Sequence, residues 1–249
     1  MKLKAKLAEP GRLLNWQVCV IPSAVSVQAI AAAGADIVII DQEHGAIGPE
    51  SLHGMIAATQ GTGCAPLVRI PEISEAHVKW ALDAGAEGIC FPLLRSAEDA
   101  RRCVAAMRYP PEGVRGFGPF VAQSRWGTDL MGYAKGVARD VVCLILIETR
   151  EALEAIEEIV AVEGVDAVVI ASFDLSTDLG VMGEMEHPVM RSAVARIEAA
   201  VLGAGLPLGA IALTEKATRD LRARGYRLLG GFDLLWLKGA VQRSVGWLT

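Results

Sequence analysis

Val141-Val-Cys-Leu-Ile-Leu-Ile-Glu148 and Asp166-Ala-Val-Val-Ile-Ala-Ser-Phe-Asp174 are two apolar runs, each with an isolated carboxylate at its exit. A strand of a parallel sheet is covered on both faces, so it reads as a continuous apolar run and not as an alternation. Neither Glu148 nor Asp174 has a packing reason to stand where it does. In parallel α/β proteins the carboxyl ends of the strands line the active site, so fold and function are read from the same place.

Outward from these two runs, short β-branched segments recur at 16–21, 36–40, 66–70, 88–91, 141–147, 166–171, 207–211 and 227–229. Helical patterns follow them near 23–33, 49–60, 74–84, 96–107, 150–161, 187–204, 214–224 and 232–245, several opened by a residue able to cap, such as Ser74, Ser96, Thr149 or Thr214. Strand then helix, eight times over, predicts an α/β fold of the (β/α)8 TIM-barrel kind. With 249 residues, 52% hydrophobic and 21% charged, the chain has the length and apolar content of one barrel, and 1–249 is read as a single domain. Only the connection 108–140 is long. It is rich in Gly and Pro at Tyr109-Pro-Pro-Glu-Gly-Val-Arg-Gly-Phe-Gly-Pro119, and insertions of that size in a compact domain are usually functional, which makes it a candidate cover for the barrel mouth.

A net charge of −5 leaves no basic stripe for a phosphate backbone or an anionic membrane, so nucleic acid is excluded as the expected partner. Cys19, Cys64, Cys90, Cys103 and Cys143 are odd in number and lack CxxC spacing, which points to a reducing compartment. The basic start Met1-Lys-Leu-Lys-Ala-Lys-Leu7 runs into Glu9, Pro10 and Gly11 without an apolar stretch. The longest apolar run, 141–147, is far shorter than the roughly 20 residues of a membrane helix. The expectation is a cytoplasmic protein with no membrane partner.

The strand ends gather Asp41, Glu43 and His44 after the second strand, Arg69 on the third, Glu148 after the fifth and Asp174 after the sixth. Carboxylates, an imidazole and a guanidinium on one face can bind a hard cation, move a proton and hold an anion. Glu148 and Asp174 offer only oxygen, which suits Mg²⁺ or Mn²⁺ better than structural zinc; as an alternative, either caps the following helix or pairs with an arginine. His44 shares its turn with Asp41 and Glu43, where an imidazole can serve as a general base; a hydrogen-bonded loop histidine is the other reading. His53, His77 and His187 lie in helical contexts and read as structural. Arg69, inside the apolar Pro66-Leu-Val-Arg-Ile-Pro71, needs an anionic partner: a substrate, or Asp41 or Glu43, the two being compatible. No lysine ends a strand, so a Schiff-base mechanism lacks its nucleophile. Gly230 and Gly231 after the eighth segment read as a tight turn, with little to support a phosphate cradle.

Several ordered motifs then point to a family: Ile40-Asp-Gln-Glu-His44, Val68-Arg-Ile-Pro71, Leu82-Asp-Ala-Gly-Ala-Glu-Gly-Ile89, Arg108-Tyr-Pro-Pro-Glu-Gly-Val-Arg-Gly-Phe-Gly118, Ile147-Glu-Thr149, and Val162-Glu-Gly-Val-Asp166 followed by Asp174-Leu-Ser176. From about residue 12 to 245 the chain resembles the HpcH/HpaI class II pyruvate aldolases, including the 4-hydroxy-2-oxoheptanedioate and 2-dehydro-3-deoxyglucarate aldolases. The resemblance implies a barrel of the phosphoenolpyruvate/pyruvate-domain type and a metal-dependent lyase that cleaves or forms 4-hydroxy-2-oxo acids through a pyruvate enolate held on the metal. Pyruvate or another 2-oxo acid, with an aldehyde, is the implied substrate pair, and the divalent cofactor is Mg²⁺, Mn²⁺ or Co²⁺.

By the same resemblance Glu148 and Asp174 hold the metal, His44 is the base acting through a metal-bound water, and Arg69 stabilises the oxyanion. Asp83 makes the histidine more basic. Because it precedes the fourth strand, at the far end of its own barrel, it is expected from a neighbouring subunit of a homo-oligomer, typically a hexamer. Asp41 completes the catalytic set, and substrate is expected against Arg69, Leu146, Ser172, Phe173 and Asp174. The family usually carries Gln where this chain has Leu146, and Gly-Pro where it has Ala171 and Ser172. The alternatives are an oxaloacetate decarboxylase with little aldol activity and a catalytically impaired paralogue that binds an oxo acid.

Overall fold

The computed structural model describes residues 2–248; positions 1 and 249 of the span 1–249 lie outside the described residues. Among the described residues are eight strands: β1 (Leu14–Cys19), β2 (Ile37–Asp41), β3 (Ala65–Arg69), β4 (Gly88–Phe91), β5 (Val142–Ile147), β6 (Ala167–Ile170), β7 (Leu208–Ile211) and β8 (Leu228–Phe232). Each pairs in parallel with the next, and β8 pairs with β1, so the chain closes as a (β/α)8 barrel. The apolar runs now have their cause. Successive side chains point to opposite faces, so Val142, Leu144 and Leu146 of β5 fill the barrel while Cys143, Ile145 and Ile147 meet the surrounding helices.

Three helix starts are capped as their sequence suggests: Ser96, Thr149 and Thr214 accept the N–H of the residue three positions on, whereas Ser74 makes no such bond. The pattern 150–161 breaks at Ala155 into Arg150–Glu154 and Ile156–Val160. A further helix, Leu3–Ala8, is too short to show a period in sequence. It buries Leu3 and Leu7 against the interior core, and its Lys6 ammonium donates to Asp36 and to the Gly63 carbonyl.

Two expectations need correction. Gly230 and Gly231 do not turn; they extend β8 opposite Trp16 and Gln17, and a Cβ on Gly230 would lie 1.5 Å from the Trp16 carbonyl oxygen. The glycine is there for close approach of two strands. The segment 108–140 does not cover the strand ends either. It folds into Phe120–Arg125, Leu130–Lys135 and a short turn at Val137–Arg139, and packs beside the start of β4: Arg125 donates to the Gly85 carbonyl and to Thr59, and Tyr133 to the Leu82 carbonyl. Its Gly and Pro content announced irregular chain but not which end of the barrel it covers.

The last helix, Asp233–Val245, buries only Asp233 among its described residues. Leu234, Leu237, Val241 and Val245 are each more than half exposed, an apolar face left open in the single chain, beside Trp236, whose indole N–H donates to Gln17 Oε1 at 2.7 Å.

Candidate active site

Asp41 and Arg69 end their strands directly opposite one another in the β2–β3 register. Asp41 is fully buried, and Arg69 donates to it twice, Nε to Oδ1 at 2.8 Å and Nη2 to Oδ2, while Nη1 lies 3.3 Å from Glu43 Oε2. Asp41 Oδ1 also accepts the backbone N–H groups of Glu43 and His44, at 3.0 and 3.2 Å. The carboxylate thus orders both the guanidinium and the turn that carries the imidazole. Gly45 closes that turn, since a Cβ there would sit 2.3 Å from the Asp41 carbonyl oxygen. His44 points outward, its side chain 59% exposed, with Nε2 3.8 Å from Glu43 Oε2.

Glu148 is the next inward residue of the β5 column after Leu146 and is 3% exposed. Its Oε1 accepts the Leu93 N–H at 2.5 Å. Leu93 holds φ at 59°, a conformation disfavoured for a residue with a Cβ and tolerated where the surroundings impose it, often at functional sites. Burial, with Glu43 and Asp174 adding repulsion, pushes the Glu148 carboxyl up to about 7 against the opposing Leu93 hydrogen bond. Burial also raises Glu43, with Asp41 and Asp174 adding to it against Arg69 and His44. Its Oε2 is buried without a hydrogen-bond partner among the described residues. Asp174 sits exposed in the first turn of the helix Ser172–Asp178.

Arg69, Leu146, Ser172, Phe173 and Asp174 line one cavity of about 70 Å³ at the mouth, floored by Trp16, Val18, Ile39 and Val169. Asp41 and Glu43 adjoin it through Arg69, His44 stands beside Glu43, and Glu148 is near enough to feel the charges of Asp174 and Arg69. Asp83 does not adjoin it: it ends the helix Glu75–Asp83 ahead of β4 and accepts from Arg115 at 2.6 Å. Arg115 is sandwiched between the Tyr109 and Tyr133 rings. Burial raises the Asp83 carboxyl, against Arg115 and Lys79. No group of three or more His, Cys, Asp or Glu arranged to hold a metal occurs among the described residues.

Two residues of this mouth escape the sequence reading. Leu93 gives no sequence signal, because its role is a backbone N–H. Asp233 does: it exits β8 as Glu148 exits β5, and its two oxygens accept the Val20 and Ile21 N–H groups at 3.2 and 3.1 Å, tying down the loop after β1.

Residues 21–237 match the family model described as HpcH/HpaI aldolase/citrate lyase. The chain is 35% identical over 250 residues to a hydroxypyruvate/pyruvate aldolase of Roseovarius nubinhibens, covering 99% of this chain and 96% of that one. It is 35% identical to a 4-hydroxy-2-oxo-heptane-1,7-dioate aldolase of Salmonella paratyphi A, over 76% of this chain and 72% of the relative. Among solved structures, an HpcH/HpaI aldolase/citrate lyase family protein from Burkholderia cenocepacia superposes with a TM-score of 0.91 at 29% identity, over 99% of this chain and 98% of the other.

Proposed function

Because this chain belongs to the HpcH/HpaI aldolase/citrate lyase family, and is thereby an enzyme of aldolase or lyase type, we propose that it cleaves or forms 4-hydroxy-2-oxo acids through a pyruvate enolate, with Mg²⁺, Mn²⁺ or Co²⁺ bound at Glu148 and Asp174. The observation that carries this reading is the Glu148 carboxyl, buried at a strand end and raised to about 7 beside Glu43 and Asp174. A carboxylate cluster whose one buried guanidinium is already engaged by Asp41 and Glu43 is short of a cation, and an all-oxygen donor set fits a hard divalent ion. Such an ion supplies Lewis-acid stabilisation of the oxygen on which enolate charge develops.

The protein's own groups do the rest. Arg69, fixed by Asp41, presents permanent positive charge at the mouth, where oxyanion character appears. His44, on the turn fixed by Asp41, moves the proton between the methyl carbon and solvent. The N-terminus of Ser172–Asp178 offers backbone N–H groups to a substrate carboxylate. We place Asp83 in the site of a neighbouring copy, within a homo-oligomer that is most simply a hexamer. Support comes from its position at the far end of its own barrel and from the unpartnered apolar face of Asp233–Val245. Among the described residues no helix is long and apolar enough to cross a membrane, and the five cysteines are buried and free, which supports a cytoplasmic setting.

Retro-aldol release of pyruvate from 4-hydroxy-2-oxo acids, assayed with each ion and after EDTA, tests the reading. Turnover that needs added ion is expected; full turnover in metal-free protein, or none with any ion, overturns it. The exposed His44, with no Asp83 beside it in its own chain, favours one second reading, an oxaloacetate decarboxylase with little aldol activity.

A further inference from the structure

Asp83 stands where its own helix gives a carboxylate little support. It is the last residue of Glu75–Asp83, at the negative end of the helix dipole, and its side chain is only 17% exposed. Burial raises the carboxyl, while Arg115, and after it Lys79 one turn earlier on the same helix, pull it down. The other titratable groups beside it, Tyr109 and Tyr133, are phenols that burial keeps neutral.

Arg115 is committed to this contact. Its side chain is 0% exposed, with the guanidinium carbon 4.7 and 5.5 Å from the centres of the Tyr109 and Tyr133 rings. Nη2 donates to Asp83 Oδ1 at 2.6 Å and to the Tyr133 hydroxyl at 3.2 Å, and that hydroxyl donates in turn to the Leu82 carbonyl. Nε and Nη1 are buried with no hydrogen-bond partner among the described residues. An aliphatic side chain would fill the space between the tyrosines without leaving donors unpaired, so packing alone does not call for a guanidinium. What the guanidinium adds is positive charge on one oxygen of Asp83. The other, Oδ2, accepts no hydrogen bond among the described residues, and Gly118 leaves room beside it, where a Cβ would lie 3.0 Å away.

Resting on the role proposed above for Asp83 in a neighbouring site, we infer that Arg115 is its positioning residue: held by the two tyrosines, it fixes Oδ1 and leaves Oδ2 free for the neighbouring copy's His44. Arg115 itself touches no reacting atom. Asp83→Asn removes the charge that reaches the imidazole, and Arg115→Met removes the anchor of that charge.

Exchange of the pyruvate methyl protons with D₂O, followed by NMR on the Mg²⁺-loaded protein, reads the proton transfer that Asp83 supports. Sedimentation and the Mn²⁺-induced shift of the melting temperature show whether assembly and the metal site survive each change. We expect Asp83→Asn and Arg115→Met each to slow exchange by about 10–100-fold, the worth of a hydrogen bond to a charged group, with assembly and the Mn²⁺ response unchanged. The double variant should be no slower than Asp83→Asn, since the second change acts only through the first residue. Arg115→Lys keeps the charge and a donor and should recover most of the exchange. Ethylguanidinium added to Arg115→Ala should do the same, entering by the cavity of about 620 Å³ that Arg115 borders. Arg115→Gln, which keeps a donor but no charge, should slow exchange in the same sense as Arg115→Met and replaces it if the methionine variant does not fold. Normal exchange in the Met and Gln variants beside slow exchange in Asp83→Asn overturns the inference and leaves the Asp83 reading in place. A loss that deepens in the Asp83→Asn background, or that comes with dissociation and is repaired by neither lysine nor ethylguanidinium, also overturns it, as the mark of a bridge that only holds the fold. Normal exchange in Asp83→Asn overturns both readings.

Discussion

Arg69 and Asp41 form a buried, two-pronged ion pair across the β2–β3 register, and Asp41 Oδ1 simultaneously accepts the His44 N–H. One side chain therefore sets the position of two of the proposed catalytic groups. Removing one member of a buried pair leaves the other charge desolvated and alone, at about 3–5 kcal/mol. Asp41→Ala should lower the unfolding free energy by that order in urea titrations at fixed protein concentration. Arg69→Lys keeps the charge but not the fork, and should cost less stability than it costs turnover.

Glu148 gives a pH-dependent prediction whose sign follows from its raised carboxyl. Folding disfavours its charged form, so a penalty is absent well below the ordinary value of 4.5, grows as pH rises, and is full above about 7. Glu148→Gln should therefore stabilise the metal-free protein at pH 8, by thermal melts, with the gain fading toward pH 5. The same variant should lose affinity for Mn²⁺ by more than the roughly 10–100-fold that loss of an outer-shell partner costs. A Mn²⁺-induced rise in the melting temperature of the unaltered protein should be larger at pH 8 than at pH 6, because protons compete for the same oxygens.

How much of this was legible beforehand follows from what each residue contributes. The barrel was readable because buried parallel strands are long enough, and apolar enough, to stand out: 141–147 became β5 within one residue. The placement of Glu148, Asp174, Asp41, His44 and Arg69 around the strand ends was readable because an isolated charge at the exit of an apolar run stands out in sequence, whereas the pairing of Arg69 with Asp41 needed the β2–β3 register. Leu93 was not, since it acts through a backbone N–H and a left-handed φ that no side chain announces. The end of the barrel on which 108–140 packs was also hidden. It depends on long-range contacts such as Arg125 to Gly85 and Thr59, and loop composition does not encode those.

If a second copy covers the helix Asp233–Val245 and Asp83 serves a neighbour's site, assembly and turnover should fall together. Leu237 is 53% exposed in the single chain, so Leu237→Asp adds no strain to the monomer and should act only between copies. Sedimentation should show a smaller species, still folded by circular dichroism, with aldol turnover reduced at least tenfold, which corresponds to about 1.4 kcal/mol of transition-state stabilisation. An unchanged sedimentation coefficient, or a smaller species with full turnover, would remove Asp83 from the proposed machinery.

The sharpest division concerns His44 and turns on when the enolate needs a base. Forming it from pyruvate requires removal of a methyl proton, whereas forming it from oxaloacetate requires only the loss of CO₂. His44→Ala should therefore depress exchange of the pyruvate methyl protons with D₂O, and aldol turnover with it, by about 10²–10⁴-fold, the usual contribution of general acid–base catalysis. Oxaloacetate decarboxylation should be spared by comparison. The side chain is 59% exposed and Asp41 grips only the backbone of its residue, so truncation to alanine leaves the turn and its hydrogen bonds in place. NMR exchange and decarboxylation rates measured on one preparation, with Mn²⁺ binding checked alongside, separate the outcomes. Equal losses in both reactions with the ion still bound would mean that His44 holds the mouth in shape and carries no proton.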